Sequence, residues 1–300
     1  MNRRRRRYWL GALEGYLFVA PWIVGFVTFT AGAMLTSGWM SLHRWNLLTP
    51  PEWVGLGNYR KALAHDPLFW KSLANTAYYA FGSVPLRMTI ALFFAVLLNQ
   101  NVRGIAFFRT IFYLPSVVTG VATSMLWLML LNPDVGGINF VLRSIGVAHP
   151  PGWFTSEQWA MPGLILMSLW SVGSMMLIFL AGLQSVPNEL LDAGRVDGAS
   201  GWMRFRHVTL PLLTPAILFN LVISVIGAFQ VFTQSFIMTG GGPANATLTY
   251  VLYLYRNAFE FFKMGYASAL AWILFFLTLA MTAFILRSTP AWVHYEGEKQ

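Results

Sequence analysis

In one stretch of this sequence, Pro187 to Pro215, charges, glycines and prolines crowd together between two membrane-length apolar runs; it reads PNELLDAGRVDGASGWMRFRHVTLPLLTP. A loop of that kind, held against a bilayer, suits the gripping of another protein better than small-molecule chemistry. Catalytic constellations are missing elsewhere. No glycine loop leads into Lys-Ser or Lys-Thr, so ATP is not expected to bind here by that device, and no Gly-x-Ser-x-Gly elbow occurs. Gly240–Gly242 is glycine-rich but has no such lysine and reads as a helix breaker. The chain has no cysteine, and His43, His65, His149, His207 and His294 form no H-x-x-x-H pair. No metal site, cofactor or catalytic residue of its own is therefore expected.

Polar groups inside the apolar runs are few. Arg87 lies within the second run. It either faces neighbouring helices and pairs there with a carbonyl, or lines a wet path and meets a polar substrate. Asn220, Ser224, Gly227, Gln230 and Gln234 are spaced 4, 3, 3 and 4. On one straight helix they fall within a sector of roughly 120°. Trp170, Ser171 and Ser174 share a face of the preceding run. Two readings stand: an interhelical hydrogen-bond seam, or the wall of a hydrated path for a neutral, hydroxyl-rich molecule. In the second, amides and hydroxyls would bond sugar hydroxyls and an aromatic face would cover C–H surface.

The elements that must position these groups are membrane spans. The 300 residues are 56% hydrophobic and 10% charged, against about 25% charged in soluble domains. So few charges cannot cover a water-facing surface, and a bilayer is the natural solvent. Six apolar runs are read as spans: Tyr16–Met40, Asn75–Leu98, Thr110–Leu131, Trp159–Val186, Leu212–Met238 and Ala267–Leu286. The first follows Arg3–Arg7 and contains Pro21 in its first turns. Ala31-Gly32-Ala33 imitates a signal-peptide cleavage site, but the run exceeds the roughly 7–15 residues of such a segment, so an uncleaved span is expected. Pro115 breaks the third run near its start. The segment from His43 to Trp70, with turn chemistry at Gly55–Tyr59 and Asp66-Pro67, reads as an external loop with a short helix near Tyr59–Ala64. No strand pattern appears. The net charge of +9 does not indicate nucleic acid, because the basic residues sit beside the spans. Arg103, Arg109, Arg195, Arg204, Arg206, Arg287, Lys299 and the N-terminal arginines lie close to span ends. Arg44, Arg60, Lys61, Lys71, Arg143, Arg256 and Lys263 are spread over longer loops. That bias places both termini and the central stretch in the cytoplasm. The organisation expected is a basic tail over 1–15, a transmembrane domain over 16–286 and a second tail over 287–300.

The central stretch resembles a known family. Pro187-x-Glu189-Leu190-x-Asp192-Ala193-Gly194-x-x-Asp197-Gly198-Ala199, followed by Phe205, Val208, Leu210-Pro211 and Pro215, is similar to the EAA loop of bacterial ABC importer permeases. Gly57-Asn58-Tyr59, Asp66-Pro67-x-Phe69-Trp70, Asn75-Thr76, Phe108-Arg109, Tyr113-Leu114-Pro115, Thr239-x-Gly241-Gly242-Pro243 and Gly265-Tyr266-Ala267 resemble the sugar-importer permeases of the maltose and glycerol-3-phosphate type. The name-giving Glu-Ala-Ala is here Asp192-Ala193-Gly194, with a shorter carboxylate and a glycine that weakens a helix by up to about 1 kcal/mol. The resemblance implies an all-α, six-span type I permease fold in the bacterial inner membrane, carrying a sugar or oligosaccharide. It implies a second homologous permease, dimeric cytoplasmic ATPase subunits that hold ATP and magnesium, and an extracytoplasmic sugar-binding protein reaching loops 43–70 and 239–266. Glu189, Asp192, Ala193, Gly194, Asp197, Gly198 and Ala199 would then form a coupling helix, within a loop over 187–211, seated in an ATPase cleft. Glu189 and Asp192 suit its positive end and Gly198 a turn with φ above zero. Trp170, Ser171, Met175, Ser224, Gly227 and Val231 align at or near the family's sugar site, and Gln230 and Gln234 extend it along the stripe. The competing reading, an ion-coupled secondary transporter, predicts carboxylates within the spans, and the spans contain none.

Overall fold

The computed structural model describes residues 3–100 and 102–294; Lys299 of the C-terminal tail lies outside them. Helix α1 (Arg3–Phe26), a π turn (Val27–Ala31) and α2 (Gly32–Ser41) form one run. The helix starts in the arginine tail, since arginine is a good helix former. Pro21 therefore sits well inside α1 rather than in its first turns. Two-residue strands β1 (His43–Arg44) and β2 (Glu52–Trp53) pair antiparallel, where no strand was expected. They are too short to carry a period. Cross-strand pairs hold them: Arg44 to Glu52 at 3.6 Å, and the His43 and Trp53 rings 5.0 Å apart.

Helix α3 (Gly57–His65) contains the expected short helix, and α4 (Pro67–Leu98) follows at once. It begins eight residues before the expected Asn75. Asp66-Pro67, read as a turn, is a helix start: Asp66 Oδ1 accepts from the N–H groups of Leu68 and Phe69 at 3.0 and 3.2 Å, and Pro67 occupies N1. Helix α5 (Ile105–Tyr113), a 3-10 turn (Leu114–Ser116) and α6 (Gly120–Leu130) make up the third run, broken at Pro115 as expected and bent there by 93°. Pro115 has no N–H to continue the helix, and Thr119 caps a new one. After α7 (Gly137–Ser144), the fourth run is also broken, into α8 (Glu157–Ser168), a 3-10 turn (Leu169–Ser171) and α9 (Gly173–Gln184), bent by 48°. Then come α10 (Asn188–Val196), α11 (Gly201–Arg204), a π turn (Phe205–Thr209), α12 (Leu210–Leu212), α13 (Thr214–Phe229), α14 (Thr233–Met238), α15 (Tyr250–Tyr255), a π turn (Arg256–Glu260) and α16 (Met264–Ser288). Among the described residues four runs are long and apolar enough to cross a membrane, Gly15–Ser41, Pro67–Leu98, Thr214–Met238 and Met264–Ala291, and up to six if each bent pair is one span.

The chain divides into two compact units. The first takes the chain up to His65 together with Leu254–Phe275. Its joint is the end of α2. Asn58, buried, donates to the carbonyls of Ser41 and His43 at 2.8 and 2.9 Å, and the Tyr59 hydroxyl to Ser41 Oγ at 2.7 Å. A cleft of about 640 Å³ opens beside it, with Trp45, Asn46, Glu52, Lys61, Lys263 and Tyr266 among its walls.

The second unit holds Asp66–Tyr253 and the chain from Phe276. Its core lies where α4, α9 and α13 meet, around Ala91, Ala95, Met176, Phe179, Leu183 and Leu213. Ala91 and Ala95 let the helices approach closely, as small residues do in membrane bundles. Gly182 serves the same purpose, since a Cβ there would stand 2.7 Å from Leu213 Cδ1. Phe81, Met129 and Phe284 are more than 70% exposed on the spans, a surface that lipid would cover.

Candidate functional site

The Pro187–Pro215 stretch folds as a helical elbow. Pro187 is extended and opens α10, with Glu189 in the first turn, where a carboxylate meets the positive helix end. The helix ends at a Schellman turn: Gly198 N donates to Arg195 O at 3.1 Å, and Ala199 N to Gly194 O at 2.9 Å. Gly198 has φ +76°, as the sequence led us to expect. Ser200 caps α11, its Oγ accepting from Met203 N at 3.3 Å, and the chain stays helical through Leu212. The π turn Phe205–Thr209 lies just ahead of Pro211, which has no N–H for the carbonyl of His207.

Gly194 is more than a weak point in α10. A Cβ there would meet Arg204 Cγ and Cδ at 3.1 and 3.3 Å. The glycine lets the stem of Arg204 lie against the helix and locks the two limbs together, which accounts physically for the missing alanine. Asp192 pairs with Arg195 at 2.6 Å across one turn, both more than half exposed. Ala193 and Asp197 are exposed and Ala199 is half-buried. Leu190, Val196, Trp202 and Met203 are exposed as well, with Trp202 stacked on Phe205. Glu189, Asp197, Arg206 and His207 are exposed on the same elbow, and exposed apolar groups among charges are the composition of an interaction surface. At the elbow's base a cleft of about 240 Å³ runs between Val186, Pro187, Leu212 and Pro215, and the C-terminal segment closes it. His294 N donates to Thr214 Oγ1 at 2.9 Å. The end of the sixth crossing and the elbow thus share one end of this unit.

The candidate substrate residues do not form a stripe on one helix. Helix α13 ends at Phe229, Gln230 is its C-cap, and Gln234 belongs to α14. The straight-helix premise fails there. Gln230 N reaches back to both Ile226 and Gly227 carbonyls, and the Val231 carbonyl freed at the break accepts from Thr249 Oγ1 at 3.0 Å. Asn220 follows the seam reading: its Nδ2 donates to Met175 O at 3.3 Å, tying α13 to α9. Ser224, Met175 and Val231 are buried, Ser171 and Gln234 half-buried, and Trp170, Ser174, Gly227 and Gln230 exposed.

What gathers these residues is three breaks, in the third, fourth and fifth crossings. A Cβ on Gly173 would lie 2.8 Å from both Phe112 O and Tyr113 Cα, so only glycine lets α9 start against the Tyr113–Pro115 turn. Gly120, opening α6, faces Thr233, opening α14: a Cβ on the glycine would lie 3.6 Å from Thr233 Cγ2. Irregular backbone at membrane depth is tolerated only where protein buries it or a wet cavity borders it. Sequence reasoning missed Trp127, whose ring stands 6.1 Å from Trp170 in a T-shaped contact, and Thr249. Neither carried a signal, since a Trp in an apolar run and a Thr in a loop are ordinary.

Several resemblance-bearing residues prove to be clamps. Asn75 Nδ2 donates to the carbonyls of Asn245 and Leu248, Thr76 Oγ1 accepts from Tyr250 N, and Lys71 Nζ holds Ala244 O. Together they fix the glycine turn that ends the fifth crossing. Arg109 Nη2 donates to Leu98 O at 2.9 Å and closes the turn after α4.

A family model described as the binding-protein-dependent transport system inner membrane component matches residues 87–291. The chain is 43% identical over 291 residues to a probable ABC transporter permease protein, YesP, of Bacillus subtilis (strain 168), covering 96% of this chain and 94% of that one. It is 36% identical to the lactose transport system permease protein LacF of Rhizobium radiobacter, covering 91% and 92%. Among solved structures it superposes on a chain of a bacterial ABC transporter involved in import of the acidic polysaccharide alginate, with TM-score 0.82, 22% identity and coverage of 95% and 99%.

Proposed function

The chain belongs to the family of binding-protein-dependent transport system inner membrane components, and from that premise we propose that it is the permease subunit of an ATP-driven importer of a sugar or oligosaccharide. It forms half of the translocation path. A second permease supplies the other half, ATPase subunits dock on the elbow, and a binding protein delivers the sugar at the opposite face. The chain does no ATP chemistry itself. The contact of His294, just beyond the sixth crossing, with the elbow, together with the arginines of Pro187–Pro215, supports placing both in the cytoplasm.

One observation carries the reading. Helices α9 and α13 both start or end at the elbow, and each runs unbroken from it to a break. With 12 and 16 residues, they are stiff arms of about 18 and 24 Å. The far end of α9 holds Trp170 and Ser171, and that of α13 holds Gly227, Gln230 and Val231. Asn220 bolts the arms together partway along. A push on the elbow therefore moves both sets of candidate substrate residues as one body, which is what alternation between outward and inward access requires.

The test is reconstitution of the complete transporter in proteoliposomes with a panel of labelled neutral di- and oligosaccharides. ATP-dependent uptake that needs the binding protein is expected. A Trp170→Ala, Gln230→Ala variant should lower uptake at least about tenfold, since an aromatic platform and an amide are each worth about 1 kcal/mol or more. ATP hydrolysis without sugar should stay within about twofold. Unchanged affinity and rate in the double variant would place the sugar elsewhere. Stable, active transport by the chain without any ATPase would reject the importer reading.

A further inference from the structure

We infer that Arg87 binds an anionic group of the transported sugar, either the carboxylate of a uronic acid or a phosphate ester. The inference rests on the importer reading above and names a substrate class for it. Arg87 stands 11 residues before the end of α4 and 20 after its start, so about 16 Å of helix separate it from the nearer end. A hydrocarbon core is about 30 Å thick. At about 48 Å the helix outruns that core, and a charge within its apolar run is costly and turns away from lipid. Its place on the helix agrees. Ser83 and Val84 precede it by four and three residues and Ala91 follows by four. All three are buried, so Arg87 lies on the face that packs into the bundle.

The pairing expected for such a cation is missing. Among the described residues Arg87 makes no ion pair, and its Nε is buried without a hydrogen-bond partner. Ser83, one turn away, is buried as well. Tyr79 lies against Ser83 and Ser168 and within the field of Arg87. Ser168 leads into the break that carries Trp170, and the Trp127 ring packed on Trp170 has a second buried, unpartnered donor, Nε1. Two buried donors without a partner, Arg87 Nε and Trp127 Nε1, therefore lie on helices beside the candidate sugar site, and among the described residues no carboxylate pairs with the cation. Buried donors go unmatched in native proteins only rarely. A carboxylate or phosphate would supply both the acceptors and the charge, and the planar guanidinium suits either. A neutral sugar could satisfy the indole but would leave the cation uncompensated.

The experiment uses the whole transporter in proteoliposomes with three matched probes: a digalacturonate, its methyl ester, and a sugar phosphate. The same binding protein serves every arm, so differences between wild type and variant arise in the permease. Wild type should take up at least one acidic probe, and which one distinguishes carboxylate from phosphate. Arg87→Gln should lower uptake of that probe by about tenfold to a hundredfold, the range for a lost charge-assisted hydrogen bond. Uptake of any neutral saccharide, assembly yield and ATP hydrolysis without sugar should stay within about twofold, and Arg87→Lys should recover part of the loss. Three results would overturn the inference: no effect on the acidic probe, equal loss for acidic and neutral probes, or loss of assembly, which would mean that a carboxylate of the partner permease meets the charge. Wild type that moves only neutral sugars would overturn it too, yet leave the importer reading standing. Wild type that moves no saccharide at all in an assembled, ATP-hydrolysing complex would count against the importer reading itself.

Discussion

Gly265→Ala is expected to empty the membrane fraction of this subunit, with yield falling more than about tenfold and the remainder inactivating at lower temperature. A Cβ on Gly265 would stand 1.9 Å from the carbonyl oxygen of His43, 3.0 Å from its carbon and 3.1 Å from Met40 O. These are backbone atoms, so no rotamer change relieves the clash. They are also pinned. Asn58 Nδ2 holds the same His43 carbonyl and that of Ser41, and Gly265 N donates to Trp45 O at 3.2 Å. The start of α16 and the end of α2 would have to separate by more than an ångström and release these bonds. Overpacking against movable side chains commonly costs about 1–3 kcal/mol, and a fixed backbone raises that. Two glycines calibrate the effect. Gly182→Ala would meet Leu213 Cδ1 at 2.7 Å, a side-chain end that can yield, and Ala216 Cβ at 3.1 Å, a tighter but not overlapping contact, and should lose less than Gly265→Ala. Gly227→Ala meets nothing within 4 Å and should insert as wild type does. If Gly265→Ala accumulates and withstands heating like Gly227→Ala, the wedge at His43 is not what holds this unit.

The sequence displayed what repeats and hid what depends on distant contact. Six apolar runs follow from composition alone, because a crossing needs about 20 apolar residues whatever its neighbours are. The elbow was legible because Pro187, Gly198 and Pro211 each dictate backbone geometry locally. The start of α4 was misjudged: Asp-Pro means a turn or a helix start, and the choice falls to the following residues, which here bury Phe69, Ser72 and Thr76. The helix breaks were less accessible still. Pro115 announced one of them. Nothing near Trp170 or Gln230 announces the others, which exist because Gly173 packs on the Phe112–Tyr113 backbone and Thr249 accommodates the Val231 carbonyl. A periodicity argument presumes a straight helix, so it grouped Gln234 with Asn220 when the chain parts them at Gln230. Trp170 and Gln230 instead share another property: each sits at a break and is exposed.

The second large effect is expected at Gly198, where Asn, Ala and Val substitutions should uncouple ATP hydrolysis from uptake in that order of severity. The backbone there has φ +76°, and no atom lies within 4 Å of a Cβ built on it. Space therefore costs nothing and conformation costs everything. Asparagine enters the left-handed region readily, alanine at roughly 1–2 kcal/mol, and a β-branched residue at more. The strain would be relieved by opening the Schellman turn, which frees the Gly194 and Arg195 carbonyls and lets α10 swing away from Arg204. Because the elbow is exposed, the released carbonyls find water, so Gly198→Val should still insert and assemble. What it should lose is transmission. A tilt of α10 changes the surface offered by Glu189, Leu190 and Asp197 to the ATPase, and slack in the turn absorbs movement before it reaches α9 and α13. Uptake should fall at least about tenfold for Gly198→Val, with hydrolysis no longer stimulated by binding protein and sugar. Asp197→Lys should do the same by a different route: no ion pair holds that carboxylate among the described residues, and reversing its charge leaves the turn intact. The measurement is sugar transported per ATP hydrolysed in proteoliposomes, with assembly yield as control. An order that follows side-chain volume, with asparagine worse than alanine, would remove strain as the cause. Normal uptake in Gly198→Val and Asp197→Lys together would mean that force enters this subunit somewhere other than the elbow.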